Sequence, residues 1–339
     1  MREISARMLA EERLECFRDA LDRPDGFQVR EGANWLVRRN GATVSCFRIS
    51  SDKARITAAE RSWHSPQLDV QGYASPAAGG LLFSAAGSVT YVNSDGSIRW
   101  QFDHAPWDDS AIAKGACALT PSGSHVLATL RGPDDEEGRY AGDVCAVLDS
   151  ESGDLVGQEI IPVYSGMYSF NHSLEHSNHV FLNAAHGQND TYSLIINALS
   201  GDLNITQAGQ VGDPFTGNCL DGSHFLKIDV GGDWLTLCEH RRDGSCTEKA
   251  EARTSDLIEY PDHQFVGEPG FVDLNTVLAA VAEETWSAES EHLLLDAQTL
   301  TPWARVSYPS EVSARPLPLG DGSWLTIENN SVRRWATDD

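Results

Sequence analysis

Apolar residues along this chain come in short runs that are β-branched, aromatic or alternating, and each run is cut by small polar residues and glycine rather than carried on at helical spacing. Dipeptides suited to tight hairpins recur between the runs: Ser51-Asp52, Asp95-Gly96, Ser152-Gly153, Ser200-Gly201, Asp243-Gly244 and Gln298-Thr299, separated by 43 to 57 residues. A strand precedes each turn, as in SVTYVNSDG, GDVCAVLDSESG and WLTLCEHRRDG, and another follows it.

Upstream in every unit a further apolar run begins just after a turn. Seven such markers exist: Asn34 to Val37, Gly80 to Phe83, Ser124 to Leu127, Asn178 to Phe181, Ser223 to Leu226, Thr276 to Leu278 and Ser323 to Thr326. Four short strands in a unit of about 45 residues is the arithmetic of a propeller blade, whose sheet buries both faces against its neighbours. The stretch Gly115 to Thr129, continuing through Val147-Leu148-Asp149-Ser150-Glu151-Ser152-Gly153, resembles a blade of a WD-repeat propeller. The phrase Tyr91 to Trp100 resembles the blades of quinoprotein-type propellers instead. The resemblance covers residues 26 to 337 and implies an architecture: an all-β, seven-bladed β-propeller, with six blades as the alternative.

Residues 1–25 break the pattern. Ile4, Met8, Leu14, Phe17 and Leu21 fall on one helical face and Pro24 stops the run, which predicts a short amphipathic N-terminal α-helix ahead of a propeller spanning residues 26–339. The last blade ends after its third strand, Ser331 to Ala336, so the N-terminal segment is expected to cover the edge left open there.

Fifty acidic residues against 25 basic ones give a formal charge of −25. Such a field repels nucleic-acid phosphates and anionic membrane surfaces and speeds encounter with a basic protein, which is the partner expected. Two acidic insertions, Gly132 to Gly142 and Glu283 to Glu291, place the candidate interaction residues at Asp134, Asp135, Glu136, Glu137, Glu283, Glu284, Glu289 and Glu291. The longest apolar runs, such as Val277 to Ala282, are too short to span a bilayer, and charges every few positions near the start leave no secretory core. Seven dispersed cysteines form no C-x-x-C pair, which suits reduced thiols and a cytoplasmic location. A two-residue turn at Asp243-Gly244 would pair Arg241 with Cys246 and leave Cys238 out of register for a disulfide.

Catalytic signals are few. His172, His176 and His186, beside Asn189 and Asp190, are the metal candidates, whereas His179 repeats the position of His125 and His224 at the start of a second strand. No G-x-S-x-G elbow and no glycine-rich phosphate loop occurs, so neither a catalytic residue nor a cofactor is assigned. The expected function is a non-catalytic interaction propeller, a scaffold or adaptor, with a neutraliser or immunity protein for a basic toxin as its sharper form. The alternative is a metal-dependent hydrolase or lactonase-like enzyme with its site in the central channel.

Overall fold

The computed structural model describes residues 1–14, 26–30, 33–40, 42–64, 73–77, 79–107, 115–134, 136–137, 140, 142–173, 179–186, 190–199, 202–219, 221–241, 243–258, 262–283, 290–312, 315–328 and 331–338. The chain opens on strand β1 (Arg2–Arg13). Sheets of four antiparallel strands follow in sequence order. The first holds β2 (Gly26–Arg30), β3 (Ala33–Asn40), β4 (Thr43–Ile49) and β5 (Thr57–His64); the second holds β6 (Tyr73–Ala77), β7 (Gly80–Ser84), β8 (Ser88–Asn93) and β9 (Ile98–Asp103). The third comprises β10 (Cys117–Leu119), β11 (His125–Leu130), β12 (Val144–Asp149) and β13 (Leu155–Ile160). The fourth comprises β14 (Met167–Ser173), β15 (His179–His186), β16 (Asp190–Leu199) and β17 (Asp202–Gln207).

The fifth sheet is β18 (Phe215–Asn218), β19 (His224–Ile228), β20 (Trp234–His240) and β21 (Cys246–Arg253), after which one turn of helix, α1 (Thr254–Leu257), leads onward. A sixth set, β22 (Gln264–Phe271), β23 (Thr276–Ala282), β24 (Glu291–Asp296) and β25 (Pro302–Ser307), shares an eight-stranded sheet with β26 (Leu317–Pro318), β27 (Trp324–Glu328), β28 (Ser331–Thr337) and β1. The apolar residues of all seven second-strand markers lie on strands, at β3, β7, β11, β15, β19, β23 and β27, while Asn178 lies outside the described residues.

The residues form two compact units. One comprises 24–47 and 60–212, the other 1–23, 48–59 and 213–339. Within the first, the period-2 geometry of a strand explains why the middle strands carry apolar residues on both faces. On β11 and β12, Val126, Ala128, Val144, Ala146 and Leu148 face the core shared with Leu82, Tyr91 and Trp100 of the second sheet. The intervening Leu127, Cys145 and Val147 face the core shared with Phe170, Leu182, Leu194 and Ile196 of the fourth. Both faces of the sheet are therefore dry. In the other unit β24 divides the same way, with Leu293 and Leu295 in one core and Leu294 in another built around Trp324 and Trp335.

The turn glycines do what the dipeptides foretold at Gly96, Gly153 and Gly244, which take φ of 86°, 78° and 84°. The register at Asp243-Gly244 differs from expectation. Arg241 donates its N–H to Ser245 at 2.9 Å, so His240 opposes Cys246 and Cys238 opposes Glu248. The six described cysteines are free thiols.

The N-terminal helix is corrected by the structure: residues 2–13 are a strand, and residues 15–25 of the expected helix lie outside the described residues. Ala6 to Arg13 pair antiparallel with Thr337 to Ser331, giving the last sheet its fourth strand, and Arg2 to Ser5 pair parallel with Ala304 to Ser307 of β25. Helical spacing was present, yet a 12-residue strand satisfies two rows of backbone groups that a helix would leave open. Ile4 and Ala6 are buried at period 2 while Met8 is exposed. Side chains reinforce the pairing: the Glu11 carboxylate accepts from Ser331 Oγ at 2.6 Å and Arg333 Nε at 3.0 Å, and Glu12 accepts from Thr57. Those contacts hold the Glu11 carboxyl below its ordinary range, led by the Ser331 hydrogen bond. On β28, fully buried Arg334 pairs with Asp321 and donates to Ser323 Oγ and to the carbonyls of Ser50 and Arg55, so the β4–β5 loop is tied to the same strand.

Candidate functional site

The insertion between β11 and β12 is an organised arm. Arg131 donates to Asp134 Oδ1 at 2.7 Å and to the Gly132 carbonyl at 3.0 Å, and its guanidinium lies 4.7 Å from the centre of the Tyr140 ring. Asp134 and Tyr140 form an isolated antiparallel bridge, which pins the two sides of the arm together. Tyr140 meets Tyr164 edge to face at 5.6 Å, and its hydroxyl accepts the Ser165 N–H at 3.4 Å. Of the candidate carboxylates here, Asp134 is committed to Arg131, Asp135 lies outside the described residues, and Glu136 and Glu137 are exposed.

The floor of the arm is a buried carboxylate. Asp143 is fully buried and accepts hydrogen bonds from Trp107 Nε1 at 2.7 Å, the Gly166 N–H at 3.1 Å and the Tyr168 hydroxyl. Burial raises its pKa above the usual carboxylate value, and the hydrogen bonds only partly offset that. These bonds fix the 161–166 connection, where Ser165 sits at φ 50°, directly under Tyr164. A closed network of this kind positions backbone. Trp107 engages Oδ1, and Gly166 and Tyr168 engage Oδ2.

The second acidic insertion is placed differently from expectation. Glu283 is exposed, Glu284 and Glu289 lie outside the described residues, and Glu291 belongs to β24, where it pairs with Arg305 at 3.0 Å. Glu291 is thus a cross-strand ion-pair partner rather than a loop contact.

The histidine cluster separates. His186 ends β15 and directs Nδ1 to the Tyr164 carbonyl at 2.7 Å, a contact that requires the proton on that nitrogen. His179 is buried at the other end of the same strand, opposite Asn197, and His125 and His224 open their strands likewise. His172 falls on β14, but its side chain, His176 and Asn189 lie outside the described residues; Asp190 opposes His186. Among the described residues no group of three His, Cys, Asp or Glu side chains is arranged to hold a metal.

One Ser–His contact resembles catalytic machinery. Ser223 Oγ lies 2.6 Å from Asp221 Oδ1 and 2.7 Å from His224 Nδ1. The order is wrong for nucleophilic activation, since the serine gives its proton to the carboxylate rather than to the imidazole. A serine beside a strand-opening histidine recurs at Ser124 and His125, as expected of a turn motif. Buried Lys227 is likewise accounted for, by Asp213 at 3.4 Å and Glu248 at 3.3 Å.

The spacing of residues did not disclose Arg131, Tyr140, Tyr164 or His186 as members of one surface, because three separate connections bring them together. One linear signal does mark the region. Between Arg139 and Lys227 the chain has no Lys or Arg and ten Asp or Glu, although the whole chain carries 25 Lys and Arg.

No family model and no curated protein matches the chain. Solved structures do. BamB from Moraxella catarrhalis superposes with a TM-score of 0.52 at 14% identity over 92% of this chain and 84% of its own. The Cps50 (Swd1) β-propeller domain of Myceliophteria thermophila gives 0.54 at 10% identity over 92% and 95%, and BBS1N in complex with ARL6DN gives 0.53 at 11% over 100% and 98%. At these identities the likeness carries architecture alone, and with the four-stranded sheets it makes this chain a β-propeller.

Proposed function

We propose that this propeller is a non-catalytic protein-interaction module for a basic protein, acting as a scaffold or adaptor in a reducing, cytoplasmic setting. The observation that carries the reading is the arm at 131–142: Arg131 and the Tyr140–Tyr164 contact hold it in place, while Glu136 and Glu137 stay exposed at its tip. Carboxylates on a fixed support in a field of −25 accelerate encounter with a positively charged surface, and nearby exposed Tyr164 supplies the flat amphipathic contact that binding surfaces favour. BBS1N, of like fold, was solved in complex with ARL6DN. Neutralisation of a basic toxin, as by an immunity protein, is the sharpest form of the proposal.

Affinity capture at low ionic strength followed by identification of the bound protein tests it. The expected partner is basic, and its association rate falls about fivefold or more in the double substitution Glu136→Lys, Glu137→Lys. An acidic partner, or one whose association rate ignores both the substitution and added salt, overturns the reading.

A further inference from the structure

Each outer strand of a four-stranded set presents an edge of backbone N–H and C=O groups that another chain can extend. Most such edges here are guarded by charge: β5 carries Glu60 and Arg61, β9 carries Arg99 and Asp103, and β21 carries Glu248, Lys249, Glu251 and Arg253. The edge of β25 is already occupied, since Arg2 to Ser5 add to it as a parallel strand. This chain therefore shows strand addition on one of its own outer edges.

The β13 edge is one of two exceptions, β17 beside it being the other. The β13 sequence is LVGQEI, with Leu155 and Val156 each 45% exposed and Ile160 55% exposed, and its only charge is Glu159. It ends the order of its sheet. Ile161 donates its N–H to Asp143 at 2.9 Å, and alternation along the antiparallel ladder then turns the N–H and C=O of Gln158 and Ile160 toward the open side. Strand β17, whose sequence DLNITQ also lacks a basic residue, lies alongside. Between the two strands is a cleft of about 380 Å³ lined by Ile160, Pro162, Leu194, Leu203, Ile205 and the carboxylate-bearing Glu159, among others.

Resting on the protein-interaction reading above, we propose that the β13 edge and this cleft take up an extended, basic segment of the partner as an added strand. Apolar side chains on one face of that segment fill the cleft, and Lys or Arg on the segment meet Glu159 and Asp154. Charge selects this occupant. The cleft lies in the stretch from 140 to 226 that has ten acidic residues and no Lys or Arg, so a cationic segment meets no repulsion from fixed charge in it. A second copy of the chain would bring −25 against −25. An anionic segment would find no lysine or arginine in that stretch.

The test uses the full chain against a displayed library of random linear peptides. The expected winners alternate apolar and polar residues, contain Lys or Arg, and lack proline in the paired stretch. Their dissociation constants should rise about tenfold or more in Gln158→Pro, which removes an outward N–H that no described strand pairs with, and in Ile160→Asp. Glu159→Lys, an exposed change that leaves the fold intact, should weaken them about threefold or more at low salt, whereas Glu136→Lys should leave them within about twofold. Winners that bind Gln158→Pro and Ile160→Asp as well as the parent, an absence of winners, or concentration-dependent self-association abolished by Gln158→Pro would each overturn the proposal. A captured whole partner that is basic and salt-sensitive yet binds Gln158→Pro unchanged would sink the groove and spare the interaction reading; acidic winners joined to an acidic partner would sink both.

Discussion

Asp143 shows how much a single buried group can fix. Three donors converge on its carboxylate, so Asp143→Ala leaves the N–H of Trp107, the N–H of Gly166 and the hydroxyl of Tyr168 without their acceptor in a dry site. Orphaned donors of that kind cost about 3 kcal/mol or more together, measurable by urea denaturation. The pH dependence has a definite sign. Folding raises this pKa, so the stability linked to the group is fully present below the ordinary carboxylate range and is lost as pH rises through the native value. Asp143→Asn removes that titration, and its melting temperature should fall relative to the parent as pH is lowered from neutrality. Asp95 and Asp243 act in the opposite sense, held down by hydrogen bonds from Ser97 and Ser245, so their contribution is present above the ordinary range and lost as pH drops through their native values. Gly153 offers a cleaner steric test. A Cβ there would lie 2.7 Å from the Trp100 indole at φ 78°, and Gly153→Ala should cost about 1 to 3 kcal/mol by the same assay.

At the scale of elements, β1 is the strand on which sequence and structure part. The spacing of Ile4, Met8 and Leu14 is helical, and isolated from the rest a helix is what it describes; pairing with β28 and β25 overrides it because tertiary partners outweigh propensity. The second strands were legible for the converse reason. Val126 to Leu130 and Val277 to Ala282 are buried on both faces, a place that takes an apolar run, or a hydroxyl such as that of Thr129 with its own hydrogen bond to the Ala116 backbone. Removal of residues 1–13 should uncover both edges, lower the melting temperature by several degrees and promote aggregation seen by light scattering. Retention of the parent melting temperature and solubility would deny β1 its closing role. The candidate surface was half legible: a run of acids in an insertion is visible in one dimension, but the clamp of Arg131 on Tyr140 spans nine residues, and the support from Tyr164 and His186 depends on contacts across 24 and 22 residues that no local pattern encodes.

For the whole molecule, charge is the dominant variable. A net −25 spread over 339 residues repels itself at low ionic strength, so salt should stabilise the free protein while weakening its complex. A rise of a few degrees in melting temperature between about 20 and 200 mM NaCl is expected by calorimetry, with no such rise contradicting the role given to self-repulsion. The same field gives the interaction reading its most direct measurement: stopped-flow association of the captured partner with the parent and with Glu136→Lys, Glu137→Lys across that salt range. A steep fall in association rate with salt is expected for the parent, and a slower, flatter dependence for the variant. Rates that are equal for the two proteins and unchanged by salt would contradict that reading.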